Sequence, residues 1–446
     1  MQIPRAYKGR YFYHFTHIDN IMSIVEHGGL LSTNIKNEWD IPHHNIANMN
    51  IQTRRGEMAV PLGPRGVVHD YVPFYFATIN PMLLGLLNRK VVDQPYICFI
   101  AISIERLLDE NVVFTDASAN TVFAPNFYDN PENLDQLDWN LIDSMRWGEK
   151  NEEERHKRMA EVLVYEKVPL EWFDSFIVFN SVARNEIQKC YRQLDVECPN
   201  ISYEPFHRRR FFFTKFFFEE RKDETLVTGP IQLRENYLRE VDYIVNNREK
   251  CLFESGPFDN INHALIEMDR NFCVIPELEG IYELETDNEI HKETVSKHTI
   301  SVVNNVKRTV FYSRLEEKWQ RVVLFAAYLH DIGKGPKGKW EDGIQHVYAD
   351  HPADAIPMVS RILIEDIKDL SYMEIKRICL LVAYHDLMGD IIGKDRDIRE
   401  LYELNLSNKE LYMLAALAEA DIIAVNTGWE WSIEEQLEEL IDEVLR

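Results

Sequence analysis

Basic residues are scarce in this chain, and the shortage is uneven. Against 74 Asp and Glu stand 49 Lys and Arg, a formal net charge of −25 over 446 residues. Residues 1–214 hold 22 basic and 28 acidic residues, a net of −6, which leaves 49 − 22 = 27 against 74 − 28 = 46, a net of −19, for the rest. A surface this negative disfavours indiscriminate binding to nucleic acid, so any polynucleotide has to be held by a local basic patch, best placed in the N-terminal half. Phosphate chemistry at a metal needs no such patch. Cysteine is also sparse: the six residues Cys98, Cys190, Cys198, Cys251, Cys273 and Cys379 form no CxxC pair. That argues against a disulfide framework or a zinc knuckle and points to a reducing cytoplasm. No apolar run approaches the roughly 20 residues a spanning helix needs. The opening MQIPRAYKGRYFYHF lacks the charged-then-apolar pattern of a signal peptide. The chain therefore reads as soluble. It shows no internal repeat or low-complexity tract, and its length predicts two or three domains.

What is present divides into two styles. YFYHF at 11–15 is aromatic and strand-like, and THIDNIMSIVEHGGL after it has helical periodicity ending in Gly-Gly. A polar stretch from 34 to 70 reads as a long loop, and such loops in compact domains are usually functional. VPFYFAT, PYICFIAISI, VVFTD, EVLVYEKV and SFIVFNSV supply further strands. The N-terminal part is therefore α+β, with a boundary near 215 after HRRRFFFTKFFF. That string reads equally as a strip where bases stack on aromatics while Arg meets phosphate, or as a buried terminal strand with a charged rim. An acidic helical connector is expected over 215–285. From 286 to 446 helical periodicity dominates, with six amphipathic segments, and predicts an all-α bundle.

Arg54-Arg55, a Pro/Gly loop, the aromatic strand around Tyr75 and Glu161 in RMAEVLVYEKVP form an ordered set. Taken singly, a Glu opening a strand or an Arg pair in a loop is ordinary surface charge. Together they suit transfer from a dinucleotide. Expelling nicotinamide develops positive charge on the ribose, which a fixed carboxylate such as Glu161 stabilises more in the transition state than in the ground state. A carboxylate in reach can also take the proton from a ring nitrogen that is to become a nucleophile. Arg55 suits either a forked grip on pyrophosphate or stabilisation of the base ring as negative charge develops on it. Over roughly residues 8–214, the order YHFTHIDN, IQTRR, HDYVPFYF and AEVLVYEKVP resembles the DarT family of DNA ADP-ribosyltransferases. The resemblance implies an ADP-ribosyltransferase fold and transfer of ADP-ribose from NAD to thymidine in single-stranded DNA. It also implies a bacterial toxin or anti-phage effector, and a macrodomain antitoxin as partner. It places Arg55 and Glu161 at the catalytic positions, His14 and Thr16 on the first strand that holds NAD, and Tyr75 beside the nicotinamide.

HDIGK at 330–334 ends an apolar helix. His298 lies 32 residues upstream of His330, and His351, His385 and Asp421 follow at intervals of 21, 34 and 36. A lone histidine on an apolar helix is ordinarily a packed core residue. Six nitrogen and oxygen ligands converging in a bundle instead suit one or two Mn, Fe, Mg or Ni ions, which can activate water against a phosphoryl ester. The pattern is similar to the HD superfamily of metal-dependent phosphohydrolases. That similarity implies His298, His330, Asp331 and Asp421 as core ligands, His351 and His385 as the extra histidines of two-metal subtypes, and Lys334 as the lysine that meets substrate phosphate. Asp386 follows His385 as a second HD doublet, but LMGD rather than glycine-lysine comes next, so it is set aside; His291 is a possible pocket residue. The run IPELEGIYELETDNEIHKETVSKHTISVV also resembles the entry to the HD region of bacterial CCA-adding enzymes, without their nucleotidyltransferase head. Two alternatives stand beside the leading one: the HD part is the main enzyme, or it senses a nucleotide and restrains the transferase.

Overall fold

The computed structural model describes residues 2–43, 54–119, 124–144, 146, 151–203, 212–213, 227–250, 256–287, 293–340, 342–346, 348–394, 396–425 and 430–446. His291 and most of HRRRFFFTKFFF lie outside the described residues. The chain forms two compact units, one of residues 1–87 and 92–216, the other of 88–91 and 217–446.

Unit 1 is built on an eight-stranded sheet. Its strands are β1 (Tyr11–His17), β3 (Tyr71–Tyr75), β4 (Ile97–Ser103), β5 (Val112–Thr115), β6 (Phe127–Tyr128), β7 (Glu161–Tyr165), β9 (Ser175–Val178) and β10 (Asn200–Tyr203), with β2 (Gly29–Leu31) and β8 (Lys167–Pro169) pairing separately. The order across the sheet is β10-β9-β4-β1-β3-β7-β5-β6. β9 and β10 run parallel, and the other pairs are antiparallel. Alternation of side chains sorts each strand between two faces. Phe12, Val72, Phe74, Val162 and Val164 enter the main core, whereas Tyr71 and Leu163 join a smaller cluster on the opposite face. Tyr13 faces Tyr75, and Tyr75 faces Glu161 across the next strand. These three therefore share the second face.

β1 and β3 meet at that single register pair. Continuing the register would set Phe15 opposite Pro73, whose nitrogen has no proton to give. The Pro73 carbonyl is engaged instead by the His14 ring, Nδ1 at 2.8 Å. The strands therefore part beside Pro73, and a cavity opens there. β2 forms part of its wall, and only glycine at position 29 lets β2 approach β8: φ is +145° and a Cβ would sit 2.0 Å from the Val168 carbonyl oxygen. Helix α1 (Asn20–Glu26) follows β1, as its periodicity predicts. Within the stretch read as a loop, Thr33–Glu38 is a second helix, α2, capped by Ser32 Oγ. The apolar and polar residues of 34–70 show no long periodicity, which hid this short element.

Unit 2 is helical, with two small parallel pairings, Phe258–Asn260 with Ile367–Asp369 and Glu285–Thr286 with Ile344–Gln345. The six segments read as amphipathic become helices Val295–Val306, Glu317–Leu329, His351–Glu365, Tyr372–Tyr384, Asn408–Val425 and Glu430–Leu445. The segment read as a connector supplies helix Pro230–Lys250, whose Leu233, Tyr237, Val241 and Ile244 enter the same core as those helices. A buried ion pair joins Lys90 Nζ to Asp350 Oδ1 at 2.7 Å, and Asp350 also accepts from the Thr228 backbone nitrogen. No described helix is long and apolar enough to cross a membrane.

Candidate functional site

In unit 1, β7 presents Glu161 at its first residue, fully buried. Arg55 grips it with a fork: Nη1 donates to Oε1 at 2.9 Å and Nη2 to Oε2 at 2.8 Å. Ser118 Oγ and the Ala119 backbone N–H also donate to Oε1, at 3.2 and 3.1 Å. Thr115 Oγ1 accepts from the Glu161 backbone nitrogen. Burial works against the Arg55 charge, but the facing carboxylate outweighs it and the net shift is upward. Ser118 and Ala119 had no sequence signal; they follow β5 in the chain, and only the sheet order places β5 against β7.

The cavity beside this pair has a volume of about 360 Å³. His14, Thr16, Arg55 and Tyr75 all line it, so four of the five expected N-terminal residues border one cavity, and the fifth, Glu161, is bonded to Arg55. Thr16 Oγ1 accepts from Asn20 Nδ2 at 3.0 Å. Burial holds His14 down at about 4, so the ring is neutral near pH 7. The Tyr75 hydroxyl points to Met82 Sδ at 3.0 Å, and burial pushes its phenol far above the ordinary value. Of the two roles open to Arg55, the forked grip on pyrophosphate finds both terminal nitrogens already engaged by Glu161. Phe212 and Phe213 are buried against Phe99 and are not available to stack on bases.

In unit 2, HDIGK ends helix Glu317–Leu329 and turns tightly against the start of helix His351–Glu365. Glycine is required there: a Cβ on Gly333 would lie 1.9 Å from the His351 carbonyl oxygen. That approach brings Asp331 between two sets of histidines. Its Oδ2 lies 3.3 Å from His330 Nε2 and 3.7 Å from His298 Nε2, while Oδ1 lies 3.4 Å from His351 Nε2 and 4.0 Å from His385 Nε2. Asp421 Oδ1 adds a carboxylate 2.8 Å from His298 Nε2. Lys334 Nζ donates to Asp331 Oδ2 at 2.7 Å. Asp386, set aside in the sequence, stands 3.5 Å from His351 Nε2 and 3.4 Å from His385 Nε2.

These residues fit a divalent ion. The Nδ1 atoms of His330, His351 and His385 sit 2.8, 2.8 and 2.9 Å from the carbonyl oxygens of Ala327, Tyr348 and Val382. A carbonyl only accepts, so each Nδ1 carries a proton and each Nε2 faces the cluster; His351 Nε2 and His385 Nε2 lie 3.1 Å apart, so one of that pair carries a second proton that an ion would replace. His330 Nε2 is buried without a hydrogen-bond partner. The donors form two groups, His298–His330–Asp331 and Asp331–His351–His385, each with its atoms within 4.8 Å of one another. Burial tends to raise Asp331, but His330 and Lys334 hold it well below the usual carboxylate range; burial lowers His351 to about 4. Burial also opposes charge on His298 and His330, yet Asp421 and Asp331 draw them upward in net. An ion would displace those protons.

The family profile of ssDNA thymidine ADP-ribosyltransferase, DarT, matches residues 13–213, and that of the HD domain matches residues 295–425. A DNA ADP-ribosyl transferase of Thermus aquaticus is 31% identical over 208 residues, 46% of this chain and 88% of its own length. One from a Thermus species is 34% identical over 186 residues, 41% of this chain and 87% of its own. Thermus sp. 2.9 DarT in complex with ADP-ribosylated ssDNA superimposes with a TM-score of 0.40 at 30% identity, covering 46% of this chain and 97% of its own. Through its N-terminal portion the chain belongs to the DarT family of ssDNA thymidine ADP-ribosyltransferases, and an HD domain follows in its C-terminal portion.

Proposed function

We propose that the N-terminal portion, residues 1–214, transfers ADP-ribose from NAD to thymidine in single-stranded DNA. The observation that carries this reading is the buried Arg55–Glu161 pair at the head of a cavity lined by His14, Thr16 and Tyr75. The bond from the ribose anomeric carbon to nicotinamide breaks, and nicotinamide leaves with the electron pair. Glu161 stabilises the positive charge left on the ribose. A thymine ring nitrogen gives up its proton, with Glu161 as acceptor, and bonds to the same carbon. Arg55 stands between Glu161 and the cavity, so the guanidinium turns aside or shares its fork as the substrates close in, and it is then placed to face the base as negative charge develops on it. Neutral His14 holds the dinucleotide by hydrogen bonding rather than by charge. By family likeness the product is toxic to its host cell or to phage, and a macrodomain protein removes it.

The HD portion, residues 286–446, is read as a phosphohydrolase acting on a nucleotide or phosphodiester. His298, His330, Asp331 and Asp421 would hold one ion, and Asp331, His351 and His385 a second. Bound ions of this kind polarise a phosphoryl oxygen and make water nucleophilic at neutral pH. Lys334, held by Asp331, is placed to meet substrate phosphate.

The test is mass spectrometry of a thymidine-containing single-stranded oligonucleotide incubated with NAD and full-length protein. The expected result is an ADP-ribose adduct from wild type and, from Glu161→Gln, a rate lower by on the order of a thousandfold. Equal rates from both would remove Glu161 from the chemistry.

A further inference from the structure

Among the described residues that line the unit 1 cavity there is no Asp or Glu. In a chain with 74 acidic residues, a wall of this size with none is a selective feature. It bears two cationic side chains, Arg55 and Lys36, together with His14, His27, His43 and His69. Arg55 has its charge paired with Glu161 by a fork that uses one N–H of each terminal nitrogen. His14 is neutral near pH 7, and burial also lowers His43 and His69. Lys36, on α2, is half-buried and has no hydrogen-bond or ion-pair partner for its ammonium among the described residues.

A desolvated ammonium without a counter-ion is costly. Burial lowers Lys36, and its charge in turn disfavours protonation of His14, His43 and His69, so its field reaches across the cavity. An anion entering the cavity removes that cost. The dinucleotide carries two negative charges, both on its pyrophosphate, whereas its nicotinamide and adenine ends carry none to offer. We propose that the Lys36 ammonium is the counter-charge that binds the pyrophosphate of NAD. This rests on reading the cavity as the dinucleotide site. It leaves Arg55 to Glu161 and to the base, and so separates dinucleotide binding from catalysis by residue. The phosphates of the DNA strand are the other source of the same chemistry; the cavity's own His14 and Tyr75 favour the dinucleotide.

The experiment compares full-length wild type with Lys36→Gln and Lys36→Arg, in steady-state kinetics and in calorimetric titration with ADP-ribose. Lys36→Gln is expected to raise the KM for NAD and the Kd for ADP-ribose by roughly tenfold, with kcat and the KM for oligonucleotide within about twofold and the melting temperature of the free protein no lower than that of wild type. Lys36→Arg is expected to recover most of the loss. A raised KM for the oligonucleotide with that for NAD unchanged would assign Lys36 to the DNA strand and overturn the proposal, as would equal parameters in all three proteins. If wild type binds ADP-ribose in a Lys36-dependent way yet modifies no thymidine, the proposal stands and the transferase reading falls. If wild type modifies DNA but Lys36→Gln binds ADP-ribose as tightly, the reading stands and the proposal falls.

Discussion

Both units bury a carboxylate at the centre of their chemistry, and they compensate it in opposite ways. Glu161 has a complete set of partners from its own chain: a guanidinium fork, a hydroxyl and a backbone N–H. Asp331 is met by one ammonium and otherwise by imidazole nitrogens, one of which, His330 Nε2, is left without a hydrogen bond. A carboxylate held by donors of its own chain is fixed in place without an ion, and it becomes available to an organic substrate when the guanidinium gives way. One ringed by imidazoles, whose protons an external cation can replace, suits a metal. The difference between transferase and metal site is thus visible in what surrounds each acid before any substrate or ion is considered.

The contrast can be broken most sharply at Asp331. Because it is common to both histidine groups, Asp331→Ala should abolish binding of divalent ions in both, read by elemental mass spectrometry after incubation with Mn or Ni, while ADP-ribosylation by the same protein stays within about twofold. Retention of metal would show that Asp331 is not the shared ligand. Next in size is Arg55→Ala. It strips a fully buried carboxylate of its counter-ion, which costs about 3–5 kcal/mol, measured by denaturant unfolding, and it should also abolish transfer. A change below about 1 kcal/mol would mean that Ser118 and Ala119 suffice to compensate Glu161.

The smallest effect sharpens the electrostatic side. His14 is held at about 4 by burial, below the roughly 6.5 of a free histidine. Because the folded value is lowered, the native state binds fewer protons than the unfolded one between those limits. Its contribution to stability is therefore complete above about pH 6.5 and declines as pH falls toward 4. Wild type should lose about 2 kcal/mol more than His14→Gln between pH 7 and 4.5, by urea midpoints at each pH. Parallel losses would mean that His14 is already solvated in the free protein.

Much of the site could be read before the fold, for a physical reason. Polar residues of ligand type that interrupt apolar helices stand out in a sequence, so the HDIGK string after an apolar helix, with His298 upstream and Asp421 downstream, could be picked out. Arg55 and Glu161 were legible only as members of an ordered set, since neither has periodicity of its own. Lys36 could not be read at all: its meaning depends on the absence of carboxylates around it, which is a property of the folded wall. Asp386 was discounted because the residues after it break a motif, yet proximity to His351 is decided by helix packing. The strands were legible because apolar alternation survives in short windows, whereas α2 is too short to show a helical period.

The border between the two units is not a single point in the sequence. Residues 88–91 belong to the C-terminal unit although transferase sequence flanks them on both sides, and Lys90 there neutralises Asp350, the neighbour of His351. A fragment ending at 214 would carry Lys90 away from its acid, and one starting at 217 would leave Asp350 buried with only Thr228 as a described partner. Separating the halves by one cut would therefore take from the C-terminal unit the lysine that pairs with its buried Asp350, although its contiguous stretch is intact. Exchanging the C-terminal unit for a relative's would have to reckon with a lysine that the N-terminal stretch encodes.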